Sequence, residues 1–447
     1  MIQILVNVSR FTLILFFAIY TFDCFAAFRN RISEERQEYL YHKQTILMYL
    51  FLINANAVLL FCSQDTRVIA LLACEIIYFI VTMIVFKNFY PNSSKSLVNN
   101  MCMLLSISFV ILTRLDMDKA IRQFVLAVAA LVISCLIPLF IQKVKFWDKL
   151  KYFYAVVGIL GLAVVCVAGS TSYGAKLNIS IGSFSLQPSE FIKILFVFYI
   201  ASMLFEATDQ KTLLITSGVA LLHVLILVAS RDLGSAGIFF ITYLCMIYVA
   251  TRRFLYLLGG IACMFLGLVS AYFVMSHVHT RVIAWLNPLA YADNEGYQVT
   301  QSLFAIGTGG WFGSGLYQGM PTKIPVVTKD FVFSAISEEL GGVFALCLIL
   351  VCISCFLMFL NIAMQIRDPF YKLIALGLGV VYGIQVFLTL GGVTKFIPST
   401  GVTLPLVSYG GSSLISTMIL FAIIQGLYVR KSEEVTKNET KKRRRVR

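Results

Sequence analysis

Asp330 stands at the lip of a long apolar segment, in Thr328-Lys329-Asp330-Phe331-Val332-Phe333, and Glu338-Glu339-Leu340-Gly341 follows closely. An ionisable group at a membrane face is costly to maintain, so its presence points to function. Asp330 is therefore the first candidate for proton-transfer chemistry. In Gln187-Pro188-Ser189-Glu190-Phe191-Ile192-Lys193, Pro188 suits the first turn of a helix, and Glu190 and Lys193 share one face three residues apart. Such a pair either meets a charged ligand or serves as a structural ion pair that fixes helix packing. Arg231-Asp232-Leu233-Gly234 sets a guanidinium beside a carboxylate, each lowering the cost of burying the other, and an interfacial anchor is its plainer reading. A fourth group runs from Gly391 to Gly401 through Lys395 and on to Ser408-Tyr409-Gly410-Gly411-Ser412-Ser413. Its prolines and paired glycines put non-helical backbone at membrane depth, which is tolerated only where it is buried in protein or lines a cavity.

The elements that must carry these groups follow from composition. The chain has 447 residues, of which 59% are hydrophobic and 13% charged, and its mean hydropathy is +0.86. That excludes a water-soluble globular domain and predicts an all-α, polytopic membrane helix bundle. About 20 apolar residues span a hydrocarbon core as a helix, and this rule gives about thirteen segments. They lie near 11–28, 45–63, 68–86, 101–113, 122–142, 152–170, 188–205, 212–230, 234–250, 254–276, 331–361, 373–390 and 405–428. The fourth is short and the eleventh long, so tilt or a break is expected there. The sizeable non-helical stretch, 277–330, holds Trp285, Tyr297, Trp311, Tyr317, Ala305-Ile306-Gly307-Thr308-Gly309-Gly310 and Gly313-Ser314-Gly315. It is expected to fold back onto the outer membrane face, its glycines letting backbone N–H groups approach an anion. A nucleotide loop is excluded because no Lys-Ser/Thr follows. His277-Val278-His279 could hold a metal, but an exposed loop end is the simpler place for them.

Lys and Arg in short loops prefer the cytoplasm. Arg29, Arg31, Arg36 and Lys43, then Lys143, Lys145, Lys149 and Lys151, then Arg252 and Arg253, then Arg367 and Lys372 all fall on one side of a thirteen-span arrangement. The 431–447 tail, ending Lys441-Lys442-Arg443-Arg444-Arg445-Val446-Arg447, falls there too and leaves the N-terminus outside. With a net charge of +14 the basic partner is anionic lipid rather than nucleic acid. Only Arg10 precedes the first apolar stretch while arginines follow it, the reverse of a secretory signal, so that stretch reads as a retained helix. The eleven cysteines lie in or beside apolar segments and read as packing residues, Cys352 and Cys355 included.

Taken together and in this order, the motifs closely resemble the SEDS family (shape, elongation, division and sporulation). They are Gln-Pro-Ser-Glu-x-x-Lys at 187–193, Asp-Leu-Gly at 232–234, Ala-Ile-Gly-x-Gly-Gly at 305–310, Asp-Phe-x-Phe with Glu-Glu-Leu-Gly at 330–341 and Ser-Tyr-Gly-Gly-Ser-Ser at 408–413. The resemblance covers residues 101–430 and implies a ten-helix core with cytoplasmic termini, leaving residues 1–100 to three extra helices. Arg231 stands where the family often has Pro, Lys176-Leu177-Asn178 where it often has Lys-Arg-Trp, and Thr389 where Asn is usual.

The resemblance further implies a peptidoglycan glycosyltransferase of the bacterial cell membrane, polymerising lipid II on the outer face with Asp330 as general base. Glu190, Lys193, Arg231 and Asp232 would line the cavity with Ser408, Gly410, Gly411 and Ser412. Lys176, Arg231, Arg281, Lys323 and Lys395 are the cations that could neutralise the leaving pyrophosphate; a divalent cation, magnesium or manganese, is the other means. Implied partners are a class B penicillin-binding protein and other division or elongation machinery. The alternative is a flippase or transporter of lipid-linked precursor, with Glu190, Lys193 and Asp232 as its path; a scaffold that recruits a synthase is a third reading. The orientation predicts that a cysteine placed in 277–330 reacts with a membrane-impermeant thiol reagent in intact cells, and protection of that loop would contradict it.

Overall fold

A computed structural model describes residues 2–28, 33–172, 175–181, 184–206 and 209–446, without the side chains of 171–177, 180, 181, 184 and 434–446. Arg29, Arg31 and the side chains of Lys176 and of the basic tail lie outside the described residues. Because lipid offers backbone groups no partner, the chain satisfies them within helices. In order these are α1 (Ile2–Ala26), α2 (Glu34–Ser63), α3 (Arg67–Phe89), α4 (Lys95–Leu115), α5 (Met117–Lys143) and α6 (Lys151–Ala168). Three short antiparallel strands follow in the order β1 (Ser170–Ser172), β2 (Ala175–Ile181), β3 (Phe184–Leu186). The chain continues with α7 (Pro188–Leu204), α8 (Gln210–Ala229), α9 (Leu233–Thr251), α10 (Phe254–Val274), α11 (Ser276–Leu286), α12 (Tyr297–Gly309), α13 (Val332–Gln365), α14 (Pro369–Val393) and α15 (Gly411–Val446).

Twelve helices among the described residues are long and apolar enough to cross a membrane. The expected span missing from these, the seventh, is α7, which has only 17 residues. It is nevertheless mostly buried, packed against α6, α9, α14 and α15 at the centre of the bundle. The 277–330 stretch, expected to be non-helical, contains α11 and α12. Both are too short and too polar for the hydropathy pattern that marks a span. The strands were not expected either, although the seven residues of β2, Ala175-Lys176-Leu177-Asn178-Ile179-Ser180-Ile181, alternate apolar and polar.

The expected short fourth segment is longer than its apolar run, for a physical reason. Polar Ser96, Asn99 and Asn100 open α4 yet are buried, and every residue from Ser96 to Leu112 is enclosed by protein. Asn99 Nδ2 donates to Gln44 Oε1 and to the Tyr41 carbonyl, both at 3.1 Å. Asn100 Oδ1 accepts from Tyr20 at 2.9 Å, and its Nδ2 donates to Ser354 Oγ at 3.2 Å. Asparagines thus tie α1 and α2 to α4 and α13, where a loop reading would leave them in solvent. Glu75 of α3 is fully buried and receives Asn56 Nδ2 at 3.5 Å. The break expected in the long eleventh segment is at Gly341, whose φ of 87° and ψ of 169° interrupt α13. A Cβ there would overlap the backbone of Phe312 and Gly313, so only glycine allows this crossing.

The helices α1 to α3 pack onto the core through α1 on α13, α2 on α4 and α3 on α5. Interhelical amide bonds of this kind contribute about 0.6–2 kcal/mol each. Asn100→Ala leaves the Tyr20 hydroxyl without its acceptor and is expected to destabilise the detergent-solubilised protein by about 1–2 kcal/mol. Thermal unfolding checks this, and an unchanged Tm would show that the asparagine does not join the two parts.

Candidate active site

Opposite the ends that carry Lys143–Lys151, Arg252–Arg253 and Arg367–Lys372, the starts of α7, α9 and α13 meet α11, α12 and the 399–403 stretch around a cavity of about 180 Å³. Glu190, Arg231, Asp232, Arg281 and Asp330 all line it, beside Gln187, Thr280, Glu295, Gln298, Ser399 and Thr403. Residues 140 positions apart in sequence, Glu190 and Asp330, therefore serve one space.

Each acidic group is held differently. Pro188 opens α7, and one turn in, Glu190 Oε2 accepts from Lys193 Nζ at 2.6 Å and from Ser416 Oγ at 2.9 Å. Lys193 Nζ also donates to Gln385 Oε1 at 2.7 Å. Gln385 Nε2 in turn reaches the Thr403 carbonyl at 3.2 Å and Ser413 Oγ at 3.3 Å. The network joins α7, α14, α15 and the cavity wall and leaves both charges satisfied, as burial requires. Asp232 is the N-cap of α9 and accepts the Ser235 N–H at 3.0 Å, where the helix dipole favours a negative charge. Burial raises its pKa; the capping bond and Arg281 pull it down, while Glu190 adds to the rise. Arg231 precedes it in the left-handed region, φ 62°, with an exposed side chain.

Asp330 lines the cavity half-buried, with no ion pair within 4 Å and no hydrogen bond to its carboxylate among the described residues. Its backbone is pinned on the preceding residues. Ser408 Oγ donates to the Lys329 carbonyl at 2.6 Å, and Tyr409 N donates to that of Thr328 at 2.8 Å. Gly401, φ +74°, sits where a methyl group would lie 3.8 Å from Asp330 Oδ2 and 3.7 Å from Arg281 Nη2. Carboxylate and guanidinium thus both lie within van der Waals reach of this position, where the positive φ favours glycine. Arg281 is anchored by Nη1 on the Ser399 carbonyl at 3.2 Å. Burial lifts the Asp330 pKa above the ordinary carboxylate range, opposed by the Lys329 and Arg281 charges. Burial lowers that of Arg281, while Asp330 and Asp232 raise it.

The remaining expected site residues lie elsewhere. Lys323 is exposed and off the cavity. Lys395, φ 60°, follows the end of α14, and its carbonyl accepts from Trp285 Nε1 at 3.0 Å. Ser408, Gly410, Gly411 and Ser412 do not line the cavity but fix the backbone around it. Ser412 Oγ receives the Gln187 N–H at 2.9 Å, Gly410 N reaches Gln123 Oε1 at 3.4 Å, and Gly411 packs against Leu126. The role of the fourth motif is thus positional, because hydroxyls and glycines there face neighbouring chain. Gln385 and Ser416 were not foreseen; an amide inside the 373–390 apolar segment was the available signal for the first. Among the described residues no three His, Cys, Asp or Glu side chains converge as a metal-ligand set.

The model of the FtsW/RodA/SpoVE family, described as cell cycle protein, matches residues 93–433. The chain is 33% identical over 370 residues to the peptidoglycan glycosyltransferase RodA of Mycobacterium tuberculosis, covering 76% of this chain and 78% of that protein. It is 34% identical over 273 residues to a probable peptidoglycan glycosyltransferase FtsW of Geobacter metallireducens, covering 59% and 72%. Its fold is similar to a chain in the structure titled "Structural coordination of polymerization and crosslinking by a peptidoglycan synthase complex", with TM-score 0.64, 24% identity and 76% and 98% of the two chains covered. The rod shape determining protein RodA of Thermus thermophilus superposes with TM-score 0.56 at 23% identity, covering 75% and 96%. With residues 93–433 matched and the helical fold shared, the chain belongs to the FtsW/RodA/SpoVE family of cell cycle proteins.

Proposed function

We propose that this membrane enzyme is a peptidoglycan glycosyltransferase that polymerises lipid II on the outer face of a bacterial cell membrane, with Asp330 as general base. The observation that carries the reading is the Asp330 carboxylate, which among the described residues has neither ion pair nor hydrogen bond and is half-buried in a cavity that also holds two arginines. The relatives' names supply the reaction class, and the basic turns at the opposite end favour a cytoplasmic location for that end.

The donor sugar is α-linked to pyrophosphate and the product is β-linked, so one inverting displacement suffices. The acceptor 4-hydroxyl oxygen attacks the anomeric carbon, its proton passes to Asp330, and the C–O bond to pyrophosphate breaks with its electron pair on the leaving oxygen. A carboxylate within hydrogen-bond reach contributes about 10² to 10⁴ in rate. An alcohol leaving group would need a second carboxyl as acid, but a pyrophosphate departs as an anion. Arg281, held against Ser399, and exposed Arg231 are placed at the cavity to neutralise that charge. Glu190 and Lys193 neutralise one another and hold the wall, which favours polymerisation over a transport path built on them. A penicillin-binding transpeptidase that crosslinks the strands is the expected partner, in line with the peptidoglycan synthase complex that contains a chain of similar fold.

Purified protein is expected to convert detergent-solubilised lipid II, with no membrane to cross, into glycan strands. Asp330→Asn should lower the rate by at least about 10²-fold while the protein stays inserted and folded. Glycan synthesis by the Asn variant at the normal rate would end the assignment, and no polymer from the native protein would favour the transporter.

A further inference from the structure

The helices α1 to α3 end at Phe89, before the family match opens at residue 93. One face of α1 nevertheless reaches the site end of the bundle. Arg10 Nη1 donates to the Gly313 carbonyl at 3.0 Å. Val6, one turn earlier on the same face, packs beside Gly315, and the Phe11 ring meets that of Phe312 at 5.7 Å. Arg10 is half-buried, has no carboxylate within 4 Å among the described residues, and keeps a buried Nε without a partner. A guanidinium in an apolar helix is costly where an aliphatic residue would pack as well. Its one hydrogen bond is therefore the feature to explain.

The segment that Arg10 grips is zipped to the start of α13. Ser314 N and Gly315 N donate to the Glu338 and Glu339 carbonyls, each at 2.9 Å. Tyr317 N reaches Glu339 Oε2 at 3.2 Å and Met320 N reaches Glu338 Oε1 at 2.8 Å. From the other side Arg114 of α4 pairs with Glu339 at 2.9 Å and donates to the Gly319 carbonyl at 3.2 Å. Ten residues beyond Met320 the same segment delivers Asp330 to the cavity.

We propose that α1 is a positioning element for the polymerase site, in which Arg10, through the Gly313 carbonyl, fixes the 310–320 segment that carries Asp330 into place. The proposal rests on the reading of Asp330 as base. Arg10 touches no reacting atom and is a positioning residue. A small displacement of a reacting group is enough to slow chemistry about 10²-fold, so a loosened segment has a kinetic signature.

The test uses full-length native protein, Arg10→Met, Arg10→Lys and Asp330→Asn. Met keeps the packing of the stem and removes the donor, and Lys restores a donor. Amide hydrogen exchange at 314, 315, 317 and 320 is expected to rise about tenfold in Arg10→Met with α5 and α15 unchanged. Turnover on lipid II is expected to show kcat down about tenfold and KM within about twofold, with Arg10→Lys in between. Exchange at 314–320 that is unchanged, or that rises throughout the bundle, overturns the proposal, as does a loss confined to KM. If Asp330→Asn keeps its activity the base assignment fails, and the exchange comparison still decides whether Arg10 holds the segment.

Discussion

A carboxylate that is to accept a proton cannot also be consumed by an ion pair, and in an apolar bundle a carboxylate without one is unstable in its charged form. Asp330 meets both conditions, because its burial is offset by charges nearby rather than by a salt bridge: Lys329 beside it in sequence and Arg281 across Gly401. Three other acidic groups have fixed partners. Glu190 is shared by Lys193 and Ser416, Asp232 caps α9, and Glu339 is clasped by Arg114. The separation of roles follows from hydrogen bonding, not from residue type.

The bundle around the cavity serves to keep that difference fixed. Removing one partner of a buried ion pair costs about 3–5 kcal/mol, so the Glu190, Lys193 and Gln385 network holds α7, α14 and α15 in register. The Ser408 bond to the Lys329 carbonyl and the turn at Gly401 then set where the aspartate sits. Arg10 and Arg114 hold the preceding segment from two sides. Ser408, Arg10 and Arg114 act on backbone carbonyls, and Ser408, Gly410, Gly411 and Ser412 lie near the cavity without lining it.

Much of this was legible in the chain. Apolar runs marked the long helices, and polar residues at their ends marked Glu190, Asp232 and Asp330 before any contact was known. What could not be read was which ends of helices meet, so Arg281, Lys323 and Lys395 looked equivalent although only Arg281 enters the cavity. Composition also hid the start of α4, because Asn99 and Asn100 look like loop residues until their partners on α1, α2 and α13 are seen. The short helices α11 and α12 escaped for the complementary reason, being helical without being apolar. Gln385 is a lone amide in a span, and its importance lies in Lys193, 192 residues away.

The most direct measurement is the pH dependence of kcat/KM for glycan synthesis by the native protein and by Arg281→Gln. Activity requires the ionised carboxylate, so the rate should fall on the acid side with unit slope about a pKa above the ordinary aspartate value, because burial raises it. Removing the Arg281 charge takes away a stabiliser of the anion and should move that limb to still higher pH. A limb that stays in place in Arg281→Gln, or that lies in the ordinary aspartate range, would contradict the account.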